Sequence, residues 1–238
     1  MSISGGVQMS IQRACSIGCT AMQIFVKNNM QWFARPLTRQ EIRGFLKHSQ
    51  RHELLSIFAH ANYLINLAAI NPQFHANSLR ALSEELIRAD QLKLPFLVLH
   101  PGAHLGEGEE AGLEKIIESI DYVLSGIPKV KTRIALETTA GQGSCLGSKF
   151  EQLAYSAGSA SRSGSVFVSI PRIFSPRVTI SGANQRSEKY FANLIASSDA
   201  IVSLQFMSTI PKLLAARAWT GTNISARARL VLRLSVLS

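Results

Sequence analysis

Two histidines and a glutamate stand at matching places in three successive segments of this chain: His60, His100 and Glu137. His60 closes the apolar run Leu55–His60 and His100 closes Pro95–His100, while Glu137 lies near the end of Arg133–Thr138. Imidazole nitrogen and carboxylate oxygen together suit Zn2+ or a related divalent ion, and a carboxylate can bridge two ions. Taken singly, each histidine reads more simply as a satisfied structural residue. Three metal-type residues at one position of three consecutive units are harder to treat that way.

The elements that must position them are short runs of strand length. Ala21–Val26 precedes the three already named, and the four recur about every 35–40 residues. Between them, Leu79, Leu82, Leu86 and Ile87 fall on one helical face, with Asn77 or Ser78 as the expected cap. Leu113, Ile116, Ile117, Ile120, Val123 and Leu124 form a second stripe, opened by Glu109 and Glu110 in keeping with the helix dipole. Buried strands alternating with amphipathic helices leave a doubly wound sheet or a (β/α)8 barrel. No Gly-x-Gly-x-x-Gly follows a strand, so a dinucleotide-binding sheet has no support. The expected fold is an α/β (β/α)8 TIM barrel in one domain over 1–238, incomplete or disrupted in its C-terminal third. In a barrel the three polar residues would gather at the C-terminal face, where active sites of this architecture lie.

The flanking sequences carry a more specific message. His60-Ala-Asn-Tyr-Leu-Ile-Asn, Leu99-His-Pro-Gly-Ala-His-Leu-Gly and Leu136-Glu-Thr-Thr-Ala-Gly-Gln-Gly-Ser resemble three motifs of the endonuclease IV family. Met1-Ser-Ile-Ser-Gly-Gly and Gln23-Ile-Phe-Val-Lys-Asn-Asn-Met-Gln-Trp are similar to two more, and the resemblance runs nearly continuously over residues 1–155. It implies a zinc-dependent phosphodiesterase that cuts double-stranded DNA 5′ to abasic sites, using three Zn2+ ions. By the same resemblance His60 and His100 would bind one zinc, and Glu137, the candidate catalytic carboxylate, would bridge it to a second. Tyr63 would lie near the gap left by the missing base, with Asn29, Gln31 and Trp32 along the DNA. Where the family often has arginine in that loop, this chain has Met30. Gly102, Gly106, Gly141 and Gly143 read as turn residues, and His104 as a group supporting a metal ligand or, more simply, as a surface histidine. A metal-dependent sugar isomerase or epimerase barrel is the alternative enzyme, and the Tyr63 and Asn29–Trp32 contexts favour DNA over it.

The second half departs from the family. Its remaining ligands belong to a Cys-Ile-Asp-Thr-x-His segment, a His-x-Asn-Asp-Ser segment, an Asp-x-His pair and a late Glu, none of which stands here. Residues 156–165 resemble a linker, 187–204 recover helical character, and 208–238 contain no carboxylate. Back-translating Val166–Ile180 and moving the frame by one base gives Val-Cys-Ile-Asp-Thr-Pro-His, the missing segment. The same shift over Thr209–Ser235 gives Asn-Asp-Ser and Asp-Arg-His. The reading frame is therefore inferred to be shifted over roughly 156–186 and again from about 205, leaving a chain with about half of the metal ligands and weak or absent activity. A start site placed too late, with a strand ahead of Ser2, belongs to the same expectation.

Charge and composition agree with this reading. The net charge is +10, but nine of those charges come from 156–186 and 208–238, which hold arginine and lysine without any acid. A basic nucleic-acid-binding tail would need aromatic interleaving, which they lack. With 46% apolar and 17% charged residues the chain is globular. No run is long enough to span a bilayer, so no membrane partner is expected. The N-terminus lacks the pattern of a signal peptide, so a cytoplasmic monomer is expected. Cys15, Cys19 and Cys145 cannot build a disulfide framework, and Cys15 and Cys19 read as small core residues of a helix.

Overall fold

The computed structural model describes residues 1–52, 54–160 and 166–169. Five parallel strands, β1 Ala21–Phe25, β2 Ser56–His60, β3 Phe96–Leu99, β4 Arg133–Glu137 and β5 Val166–Ser169, form one sheet in sequence order. Helix α1 (Gln8–Ser16) precedes β1, and α2 (Arg39–Arg51), α3 (Pro72–Gln91), α4 (Glu109–Gly126) and α5 (Phe150–Ser159) connect each strand to the next. Parallel neighbours require such crossovers, and the consecutive strand order is that of a barrel wall rather than of a doubly wound sheet, whose order reverses. All four strand-like runs seen in the sequence are strands here.

The core is built where the strands meet the helices. Phe96, Leu97, Val98 and Leu99 of β3 are all buried, as a parallel strand covered on both faces should be. Leu82, Leu86 and Ala89 of α3 and Ile116, Ile120 and Val123 of α4 are buried as well. Ile87, placed on the α3 stripe from spacing, is instead 40% exposed, and the inward positions beside it belong to Glu85 and Arg88.

Helix ends follow local chemistry. Helix α3 starts at Pro72, with the Asn71 side chain accepting from the Gln73 and Phe74 amides. Asn77 and Ser78 therefore lie inside the helix, not at its cap. The Ser78 hydroxyl bonds back to the Phe74 carbonyl, a mid-helix use of a residue type that also favours caps. Helix α4 does begin at Glu109 and Glu110. Helix α5 runs to Ser159, so residues 156–159 belong to it and not to a linker. Ser156 bonds back to the Gln152 carbonyl and Ala157 is fully buried, small residues that let the helix sit close to the sheet. Strand β5 then carries the repeat one unit past Tyr155. The readings for 161–165, 170–186, 187–204 and 205–238 lie outside the described residues. Cys15 lies in α1 and Cys19 beyond its end, both only half-buried, so neither is a core residue.

Helix α2 opens with a capping box in which Thr38 and Glu41 exchange hydrogen bonds, and Arg35 forks onto both Glu41 oxygens at 2.9 and 2.7 Å. The Arg35 hydrogen bonds, helped by the Thr38 amide, lower the Glu41 pKa from 4.5 to about 2. A depressed carboxylate pKa contributes stability that is complete above the ordinary value and is lost as pH falls toward the folded one. Stability should therefore drop between about pH 4.5 and pH 2, and Glu41→Gln should remove that component. Urea midpoints at about pH 6 and about pH 3 for the two proteins check it; because the pair is exposed, the component is modest.

Candidate metal centre

Each ligand-type side chain sits at the C-terminal tip of a strand. His60 is the last residue of β2, Glu137 the last of β4, and His100 follows β3 directly. The register pairs Leu99 with Leu136, which sets His100 beside Glu137, and pairs His60 with Val98, two residues short of His100 along the neighbouring strand. One ligand atom from each residue lies within 4.8 Å of the other two. His60 Nε2 is 3.2 Å and His100 Nε2 3.6 Å from Glu137 Oε2.

Hydrogen bonding fixes what these atoms can be. His60 Nδ1 stands 2.7 Å from the Ala61 carbonyl oxygen, which can only accept, so Nδ1 carries the proton. The other ring nitrogen, Nε2, is then the atom that faces the Glu137 carboxylate oxygen. A cation held between the two atoms would be bound by both. A ring nitrogen tied to a backbone carbonyl while the other faces the cluster is the usual support of a metal-bound histidine. Tetrahedral ligands at about 2.0–2.1 Å from zinc lie about 3.3 Å apart, close to the His60–Glu137 separation. Burial lowers the His100 pKa against the pull of Glu137, which keeps that ring neutral, as ligation requires. His100 Nδ1 is buried without a hydrogen-bond partner. The donor set thus fits a divalent ion of the zinc type.

Tyr63 stands over this cluster, 59% exposed, with its ring centroid 5.4 Å from His60 and 6.5 Å from His100, nearly parallel to the latter. Phe25, at the tip of β1, closes the side at 5.5 Å from His60 and 5.4 Å from Tyr63. Asn29, Gln31 and Trp32 follow β1 in one loop. Asn29 is half-buried, Gln31 is exposed, and half-buried Trp32 packs edge-on against Phe74 at 6.1 Å. Met30 projects between them, 68% exposed.

Sequence reasoning missed the groups that tie these loops down. Lys27 is 3% exposed, and its ammonium donates to the Gln31 and Trp32 carbonyls at 3.1 and 2.8 Å. It also lies 2.8 Å from Glu85 Oε1, in ion-pair contact rather than an aligned hydrogen bond. Glu85 Oε2 accepts from the Asn62 amide, and Asn62 Nδ2 donates to the Gln31 carbonyl. The available signals were a lysine closing an apolar strand and a glutamate on the apolar face of α3. His104 also differs from expectation. It is half-buried, and its Nδ1 accepts from the Gly106 and Gly108 amides, shaping the turn into α4.

Gly102, Gly106, Gly141 and Gly143 all have positive φ, as turn residues should. At Gly102 (φ +125°) an added Cβ would fall 2.3 Å from Asn66 Oδ1, the atom that accepts from the Ala68 and Ala103 amides. Gly102→Ala should cost about 1–3 kcal/mol, read by urea denaturation.

With fold and site in view, the chain belongs to the xylose isomerase-like TIM barrel family, whose model matches residues 11–168. Within that class it is similar to proteins named probable endonuclease 4, so the resemblance read from the motifs holds. The relative from Chloroflexus aggregans is 49% identical over 154 residues, 65% of this chain and 54% of that protein. The one from Geotalea daltonii is 40% identical over 153 residues, 64% of this chain and 54% of that protein. The chain spans about half the length of the curated relatives it matches. Among solved structures, endonuclease IV from Thermus thermophilus superposes with a TM-score of 0.63 at 28% identity, covering 71% of this chain and 60% of that one. D-psicose 3-epimerase from Clostridium cellulolyticum reaches 0.58 at 12% identity over 77% of this chain and 65% of its own, a likeness of fold alone. Among the described residues no helix is long and apolar enough to cross a membrane.

Proposed function

We propose that this chain derives from a metal-dependent DNA-repair endonuclease that cuts the phosphodiester 5′ to abasic sites, and that it retains the first half of the site. The observation that carries the reading is the convergence of His60 Nε2 and His100 Nε2 on Glu137 Oε2 at 3.2 and 3.6 Å, beneath an exposed Tyr63. The similarity to proteins named endonuclease 4 supports DNA as the substrate.

His60, His100 and Glu137 would hold zinc, which when bound acidifies water and stabilises charge on phosphorus-bound oxygen. The chain's own residues do the rest. The Ala61 carbonyl holds His60 in the ligating tautomer, and Phe25 shields its ring from water. Tyr63 offers an aromatic face at the height where a base is missing, and stacking on it would be worth about 1–3 kcal/mol. Asn29, Gln31 and Trp32 would line the duplex beside it. With half of the family's ligands absent from the sequence, incision is expected to be weak or absent.

The test uses the full chain with zinc and two duplexes, one carrying a tetrahydrofuran abasic analogue. Preferential binding of the abasic duplex, weakened by chelator and by Tyr63→Ala, is expected. Equal affinity for both duplexes, or epimerisation of a ketohexose by the same sample, would sink the proposal. Incision at the rate of a complete enzyme of this family would sink the claim of a damaged chain.

A further inference from the structure

Three polar residues on one face of α3 grip the loop that leaves β1. Glu84 Oε1 accepts from the Ala34 amide at 3.2 Å, and Arg88 donates to the Val26 and Arg35 carbonyls at 2.9 and 2.7 Å. Between them Glu85 holds Lys27, whose ammonium takes the Gln31 and Trp32 carbonyls. The Gln31 carbonyl also receives Asn62, whose own amide is held by Glu85, and Tyr63 is the next residue.

A buried ion pair is a poor way to stabilise a fold, because desolvating two charges offsets most of their attraction, and apolar replacements of similar size often do as well. Here both side chains are 1% exposed, and the pair's other hydrogen bonds among the described residues are with the loop that carries Gln31 and Trp32 or the loop that carries Tyr63. We propose that Lys27, Glu85 and Asn62 form a positioning latch that locks the two duplex-facing loops to each other, so that Trp32 and Tyr63 are set before DNA arrives. The duplex-facing role rests on the function proposed above; the latch itself does not.

An organised surface binds more tightly because less freedom is lost on association. The double variant Lys27→Met with Glu85→Leu removes both charges together and separates positioning from stability. In full chain carrying Trp219→Phe, Trp32 is the sole indole, so its emission reports the loop alone. The double variant is expected to keep the far-UV spectrum of its parent. It should show a shifted Trp32 emission, at least about twofold greater acrylamide quenching, and about tenfold weaker binding of the abasic duplex. Unchanged quenching in the folded variant overturns the latch. Failure of the parent to prefer abasic DNA, with quenching raised in the variant, overturns the function and leaves the latch standing. Hydrogen exchange of the peptide covering 28–34 in the unsubstituted chain needs no variant: slow exchange is expected, and complete exchange within seconds also overturns the latch.

Discussion

Glu137→Ala is expected to weaken zinc binding by about 100-fold or more, the largest functional effect of any single change in the described residues. Two arguments converge on that size. Glu137 Oε2 is the shared point of the triad, 3.2 Å from one imidazole and 3.6 Å from the other. It is also the only anionic member, so its loss leaves two neutral nitrogens to hold a divalent ion. Cobalt substitution followed by absorption spectroscopy reads the change directly, since a tetrahedral N/O site colours strongly and an aqueous ion does not. Glu137→Gln should lie closer to the alanine variant than to the parent, because the charge matters more than the shape. Wild-type affinity in either variant would remove Glu137 from the site.

Lys27→Met alone should cost about 3–5 kcal/mol of folding stability, because it strands the Glu85 carboxylate in an apolar interior. Burial already pushes the Glu85 carboxyl above its ordinary pKa, and Lys27 is the chief influence opposing that rise. Without the lysine the carboxyl would take up a proton on folding, limiting the loss and making it depend on pH. The folded pKa would lie above the unfolded one, so the variant should be least impaired in acid and grow weaker as pH rises through the folded value. Urea denaturation across that range measures both. Adding Glu85→Leu should recover most of the loss, a non-additivity expected only of partners in contact.

Much of this molecule was legible from its residues. The four apolar runs could be placed because a parallel strand covered on both faces is short, continuous and apolar, and the grouping of His60, His100 and Glu137 because each stands at or near the end of such a run. The caps were misjudged because Asn71 and Pro72 precede the apolar stripe of α3 by two turns, where periodicity carries no signal. Ile87 was misplaced for a related reason: the inward positions of that turn went to Glu85 and Arg88, whose partners Lys27, Val26 and Arg35 lie far away in sequence. A polar residue on an apolar face is ambiguous until the chain is folded around it. The 156–159 segment looked like a linker from composition, yet small residues also serve helices that must approach a sheet closely.

The solitary carboxylate of the triad sets the charge of the face it occupies. One carboxylate and two neutral imidazoles around a divalent ion leave a single surplus positive charge at the strand tips. One phosphodiester, with its single negative charge, would neutralise it. No second carboxylate belongs to this group among the described residues, so those residues by themselves would balance one ion, a number that elemental analysis can check.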